Sequence, residues 1–187
     1  MVNLKKYIEL IISTQCIFIS TMIPIYISIP TNENHFNIVD LPINWQIPII
    51  LIFTIIFSKE ILIKSHTIYL ILGLFILPLF NDGGSLGYIL TPNFGFLLGI
   101  YPMIFYISHL KSNNLITVYK FIFYGIISIL ILHLTGIIYL VIQLLIFSRM
   151  ELALYLIGKY SIANLPFQIL ILIPSSLLLT SLKKIKI

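Results

Sequence analysis

Long apolar runs constrain this chain before anything else does. A helix that crosses a bilayer needs roughly 20 mostly apolar residues. Six stretches approach or exceed that length, at 7–29, 41–57, 61–80, 87–110, 115–147 and 162–182. Between them only 9% of the 187 residues are charged, against about 25% in an ordinary soluble domain, so a water-facing surface cannot be covered. The expected fold is a single membrane domain over 1–187, all-α, with six transmembrane helices in a lipid bilayer. A secretory signal has an apolar core of about 7–15 residues before a small-residue cleavage site. The first run is longer and lacks such a site, so it reads as a retained span. Pro42 and Pro48 disturb the first turns of the second span. The segment 148–161 is more polar and reads as a short surface helix. The lone Cys16 lies inside an apolar run, which leaves no disulfide framework.

Six spans make the charges interpretable. Lys5, Lys6, Lys59, Lys64, Lys111, Lys120, Lys183, Lys184 and Lys186 fall on the side of the N-terminus, and only Arg149 and Lys159 fall on the other. The positive-inside rule then puts both termini in the cytoplasm of a multi-pass cell-membrane protein. The formal charge of +5 is a topology signal, with no nucleic-acid surface implied. The outer connections are 30–42, 81–85 and 148–161. The first two carry Glu33, Asp40 and Asp82 among prolines, glycines and asparagines, which suits a bundle that handles something arriving from outside.

No catalytic signature is present: there is no Walker-type loop, HExxH, cysteine pair or G-x-S-x-G elbow. His35, His66, His109 and His133 are scattered, so neither an enzyme nor a metal or other cofactor is expected. The informative stretch is 77–99. Gly83, Gly84 and Gly87 there permit a close approach of backbone to a ligand, beside the polar groups of Asn81 and Asp82, and Pro92 restarts a helix. The same glycines also suit an ordinary turn between spans. Trp45 reads as an interfacial anchor or a ligand contact. Gln46, a step deeper, brings a donor and an acceptor that need partners. His133 and Gln143 lie inside the fifth apolar run, where an ionisable group is a functional candidate. Asn164 and Gln168 sit at the outer end of the last span. Ser13, Cys16 and Ser20 form a small-residue stripe on which another helix, internal or a partner's, can dock.

Taken in order, these features resemble the BioY family, the biotin-specific substrate-binding (S) components of energy-coupling factor transporters. Pro42-Ile43-Asn44-Trp45-Gln46 is similar to the family's P-[VI]-T-L-Q. Residues 76–83 and 91–99 are similar to G-L-P-V-F-A-G-G and G-P-T-G-G-Y-L-x-G, His133-Leu134-Thr135-Gly136 to H/Y-L-x-G, and Leu165-Pro166-Phe167 to L-P-F. The P-G-D-x-x-K that follows in the family is missing, and Ile171 and Pro174 occupy the positions of its biotin-binding Asp and Lys. The resemblance implies six spans, biotin captured from outside, and import driven by a transmembrane coupling protein with two ATPase subunits. It implies a substrate site of Asn44, Trp45, Gln46, Asn81, Gly83, Gly84, Asn93, Phe96, His133 and Gln168, with partner docking at Ser13, Cys16 and Ser20. Without the family lysine, the ligand carboxylate is assigned to the Gly83–Gly84 turn. Other readings are an S component for a different small vitamin, a non-transporting paralogue serving in assembly or as a scaffold, and a membrane enzyme in which Asp82 converges with His133.

Overall fold

A computed structural model of the chain describes residues 4–30, 36–80, 83–109 and 117–184. Helix α1, Leu4–Met22, leads into an antiparallel hairpin of β1, Pro24–Pro30, and β2, Phe36–Asn44. Its register pairs Ile25 with Leu41 and Ile27 with Val39. Helices α2, Gln46–Ile56, and α3, Lys59–Phe75, follow. The Ser58 side chain caps α3 by accepting from the Ile61 N–H at 3.4 Å. A short 3₁₀ turn, Leu86–Leu90, precedes α4, Pro92–Ile107. Pro92 stands where its missing N–H costs no helical bond. Helix α5, Val118–Ile146, is capped by Thr117 Oγ1, which accepts from the Lys120 N–H at 3.3 Å. It ends in a left-handed residue, Ser148 at φ 52°, with Ser148 N–H bonded to Leu145 O and Arg149 N–H to Leu144 O, a Schellman motif. A second helical stretch then runs through a 3₁₀ turn Met150–Leu152, α6 at Ala153–Ile157, a π-turn Gly158–Ile162, α7 at Leu165–Leu170 and α8 at Leu172–Lys184.

The helical body agrees with the sequence reading, and the hairpin corrects it. Residues 24–29 were expected to end the first span and 41–44 to begin the second, yet they pair as strands. Pro24, Pro30 and Pro42 interrupt helical hydrogen bonding there, and β-branched residues at Ile25, Ile27, Ile29, Ile38, Val39 and Ile43 suit an extended chain. Helix α3 stops at Phe75, short of the expected 80, because Pro78 follows. Helices α1, α2, α3, α4, α5 and the α7–α8 pair overlap the six expected spans. By length and apolarity, two of the described helices suffice to cross a membrane, Val118–Ile146 and the continuous stretch Met150–Leu178.

Large apolar side chains are exposed on many of the described helices. On α5, Leu130, Leu134, Ile138 and Ile142 lie on one face at four-residue spacing and are 45–60% exposed. The other face buries Ile129, Leu132, Gly136 and Leu140. A contiguous exposed apolar face of this length is untenable in water and ordinary against lipid. Inside, small residues let the helices approach closely. A Cβ on Gly99 of α4 would lie 2.6 Å from the Leu132 carbonyl oxygen of α5, and one on Gly136 of α5 would run into the Phe96 ring of α4. Gly95 and Gly99 thus form a small-xxx-small contact along which α4 and α5 pack.

Candidate functional site

A cavity of about 800 Å³ lies at one end of the bundle, within the usual range of small-molecule sites, about 300–1,000 Å³. The C-terminal end of α1, strand β2 and the first residue of α2 form one wall. The 3₁₀ turn and the first turns of α4 form another, and residues 159–168 close the third. Proline and short loops make these segments irregular, and irregular backbone at membrane depth persists where it lines a cavity.

Asn44 fixes the first wall. Its Nδ2 donates to Thr21 O at 3.2 Å and its Oδ1 accepts from the Gln46 N–H at 3.1 Å. The end of α1 is thereby tied to the start of α2, and both ends of the Asn44 amide are engaged with backbone. Gln46 is left 6% exposed at the cavity wall. The buried Tyr69 hydroxyl is hydrogen-bonded with Thr21 and Gln46, which ties the Gln46 amide to α3 behind the cavity wall.

Across the cavity stand Asn164 and Gln168. Asn164 Nδ2 donates to Tyr160 O at 3.0 Å, and its buried Oδ1 has no partner among the described residues. Gln168 Oε1 lies 3.0 Å from His133 Nε2, and His133 Nδ1 lies 2.9 Å from Ser161 Oγ. An amide oxygen only accepts, so Nε2 carries the imidazole proton and Nδ1 accepts from Ser161. Asn93 and Phe96 project from the first turns of α4 into the same cavity, with apolar wall supplied by Leu97, Ile100 and Leu132. The walls together carry the amide side chains of Gln46, Asn93, Asn164 and Gln168 beside an apolar slot, which fits a small ligand carrying both a polar ring and apolar atoms.

Six of the polar and aromatic residues singled out from sequence therefore line the cavity: Asn44, Gln46, Asn93, Phe96, Asn164 and Gln168. His133 stands one layer behind, against Gln168. Trp45 turns to the opposite side of the chain from its two neighbours. It lines a separate apolar groove of about 230 Å³ with Cys16, Ile19, Ser20, Ile23 and Ile49. Gly83 and Gly84 are not among the cavity's lining residues. Gly83 has φ +113° and closes a tight bridge in which Phe80 N–H bonds Gly83 O at 2.8 Å. Gly84 is pressed on by Gly73 O and Leu77 O, 2.5 and 2.7 Å from where a Cβ would stand. Asn81 and Asp82 lie outside the described residues. Gln143 donates to Leu90 O and Tyr139 to Ile89 O, so these two polar groups of α5 hold the 3₁₀ turn. Ser13 is fully buried and bonded to Ser65 of α3, and Ser20 is buried with its hydroxyl on Ile17 O. Cys16 is the half-exposed member of the stripe.

Sequence reasoning missed Thr21, Tyr88 and Tyr160 as site residues, and named Asp40 and Lys159 only as outer-side charges, yet all five line the cavity. They come from connecting segments or from the end of a helix, where periodicity gives no facing. Lys159 did carry a signal, as one of two basic residues on the sparsely charged side.

The model of the BioY family matches residues 2–186 of this chain. Among solved structures, the chain is similar to a crystal structure at 2.1 Å of the S-component for biotin from an ECF-type ABC transporter. The two share 20% sequence identity and a TM-score of 0.70 over 98% of this chain and 95% of that one. No curated protein matches. With nearly its whole length covered by the family model, the chain belongs to the BioY family.

Proposed function

We propose that this BioY-family chain is the substrate-binding membrane component of a biotin uptake transporter. Biotin enters the 800 Å³ cavity from the outer side of the cell membrane, with both chain termini in the cytoplasm. A transmembrane coupling protein and two ATPase subunits of an energy-coupling factor module drive import, and the chain itself catalyses no reaction. Family membership and the fold shared with a biotin S-component support the reading. The observation in this chain that carries it furthest is the cavity itself, with the amide side chains of Gln46 and Asn164 on facing walls. Biotin's ureido ring presents a carbonyl acceptor beside N–H donors, the complement of that pair, and Phe96, Ile100 and Leu132 give its sulfur ring and chain an apolar bed. The interior side carries the basic excess, as the positive-inside rule requires. Of the stripe expected to dock the coupling protein, Ser13 and Ser20 are spent inside the bundle, which leaves the half-exposed Cys16 as the proposed contact on α1.

Titration calorimetry of the detergent-purified chain with biotin tests this. Binding at nanomolar to low-micromolar affinity is expected. Gln46→Ala should weaken it by about 5- to 150-fold, since one buried hydrogen bond to the ligand is lost at about 1–3 kcal/mol. A folded chain that takes up no biotin at high-micromolar concentration would remove biotin as the substrate.

A further inference from the structure

Resting on the reading just given, we propose that Lys159 binds the carboxylate end of the ligand and sets its orientation in the cavity. Ile171 and Pro174, where the family's Asp and Lys would stand, do not line the cavity. Ile171 is 8% exposed and packs with Ile25, Leu41 and Ile43 of the hairpin. Among the described residues that line the cavity, Lys159 is the one cation and Asp40 the one carboxylate. Neither makes an ion pair among the described residues, where Lys5–Glu9 is the pair found.

Local geometry keeps Lys159 available. It belongs to the π-turn Gly158–Ile162, closed by Ala163 N–H on Gly158 O at 2.9 Å, an irregularity that recurs at functional sites. Its Nζ sits 5.1 Å from the centroid of the Tyr160 ring. A cation over an aromatic face is held in place electrostatically without using up its N–H donors. Tyr160 is itself a lining residue, so the ammonium rests on the cavity wall.

Depth supplies the orientation. Gln46 is buried, whereas Lys159 and Asp40 are exposed. A ligand that pairs its neutral polar ring with Gln46 therefore points its other end at the rim. An anionic tail is attracted by Lys159 and repelled by Asp40, so it lies on the π-turn side. On the proposed orientation Lys159 is also one of only two basic residues outside, an exception to the charge bias that a ligand contact explains.

Calorimetry with biotin and with its neutral carboxamide, on the wild-type chain and on Lys159→Met, separates the possibilities. The wild type should prefer biotin over the amide by about tenfold, the worth of one charge-assisted hydrogen bond at a solvated rim. Lys159→Met should bring biotin down to the amide's affinity while the amide moves less than about twofold, its retained binding showing that the variant is folded. Raising the salt should weaken biotin on the wild type and leave the amide unmoved. Equal wild-type affinities for acid and amide, or a preference that persists in Lys159→Met, would overturn the role of Lys159 and leave the biotin reading standing. Binding of neither ligand by the folded wild type would overturn both.

Discussion

His133 holds Ser161 and Gln168 and is not among the residues lining the cavity, so the role proposed for it is to position Gln168. Replacing it by leucine leaves the Gln168 oxygen and the Ser161 hydroxyl without their shared partner, at about 1–3 kcal/mol. His133→Leu is therefore expected to lower the thermal unfolding midpoint in detergent and to weaken biotin several-fold through a loosened Gln168, with scanning fluorimetry and calorimetry as the two readouts. A role in ligand contact alone would weaken biotin without moving the midpoint. At this scale the sequence was readable where a polar side chain interrupts an apolar run: Gln46, Asn93 and Gln168 stand out against their neighbours and do meet. It was unreadable for facing. Asn44 and Gln46 line the cavity and Trp45 between them does not, because local backbone direction and not residue type decides which of three adjacent side chains turns inward.

Glycines decide how the elements meet. Gly99 faces the backbone of α5, and a Cβ there would approach Leu132 O at 2.6 Å and Leu132 Cα at 3.1 Å. Backbone cannot rotate away as a side chain can, so Gly99→Ala should push α4 from α5 at about 1–3 kcal/mol, the usual cost of overpacking. It should also displace Asn93 and Phe96, which α4 delivers to the cavity. The midpoint in detergent should fall, whereas Gly158→Ala, where a Cβ meets nothing within 4 Å, should leave it nearly unchanged. Helix placement was legible from runs of apolar residues, and caps at Ser58 and Thr117 set two of the starts. The hairpin was not, since Ile- and Tyr-rich segments serve a strand or a span alike and only the prolines told against helix. The glycine turn at 83–84 was expected to face a ligand. It instead lets the chain fold tightly against α3, the other of the two uses that such a glycine pair has.

For the whole molecule, the distribution of lysines makes orientation testable. Ser58 lies between α2 and α3 and Lys59 opens α3 at one end, and Arg149 follows α5 at the other; all three are exposed. In a Cys16→Ser background, Arg149→Cys should react with a membrane-impermeant maleimide on intact cells, and Lys59→Cys only after lysis. The reverse pattern would open the cavity to the cytoplasm and defeat capture from outside. Charge bias speaks to sidedness because it sums over many residues, and it remains readable when individual motifs have degraded. The family's site chemistry is less durable: Ile171 and Pro174 stand where its Asp and Lys would be, and the helical fold is kept.

Residues 44–46 have one further consequence. Gln46 fronts the cavity, and Trp45, the one tryptophan in the chain, backs it in the groove with Cys16 and Ser20. The partition between cavity and groove is here a single thickness of polypeptide. The protein thus carries its one indole on the reverse of the cavity wall. Its emission senses any displacement of that wall without contacting what is bound, and from the same spot it senses whatever settles in the groove.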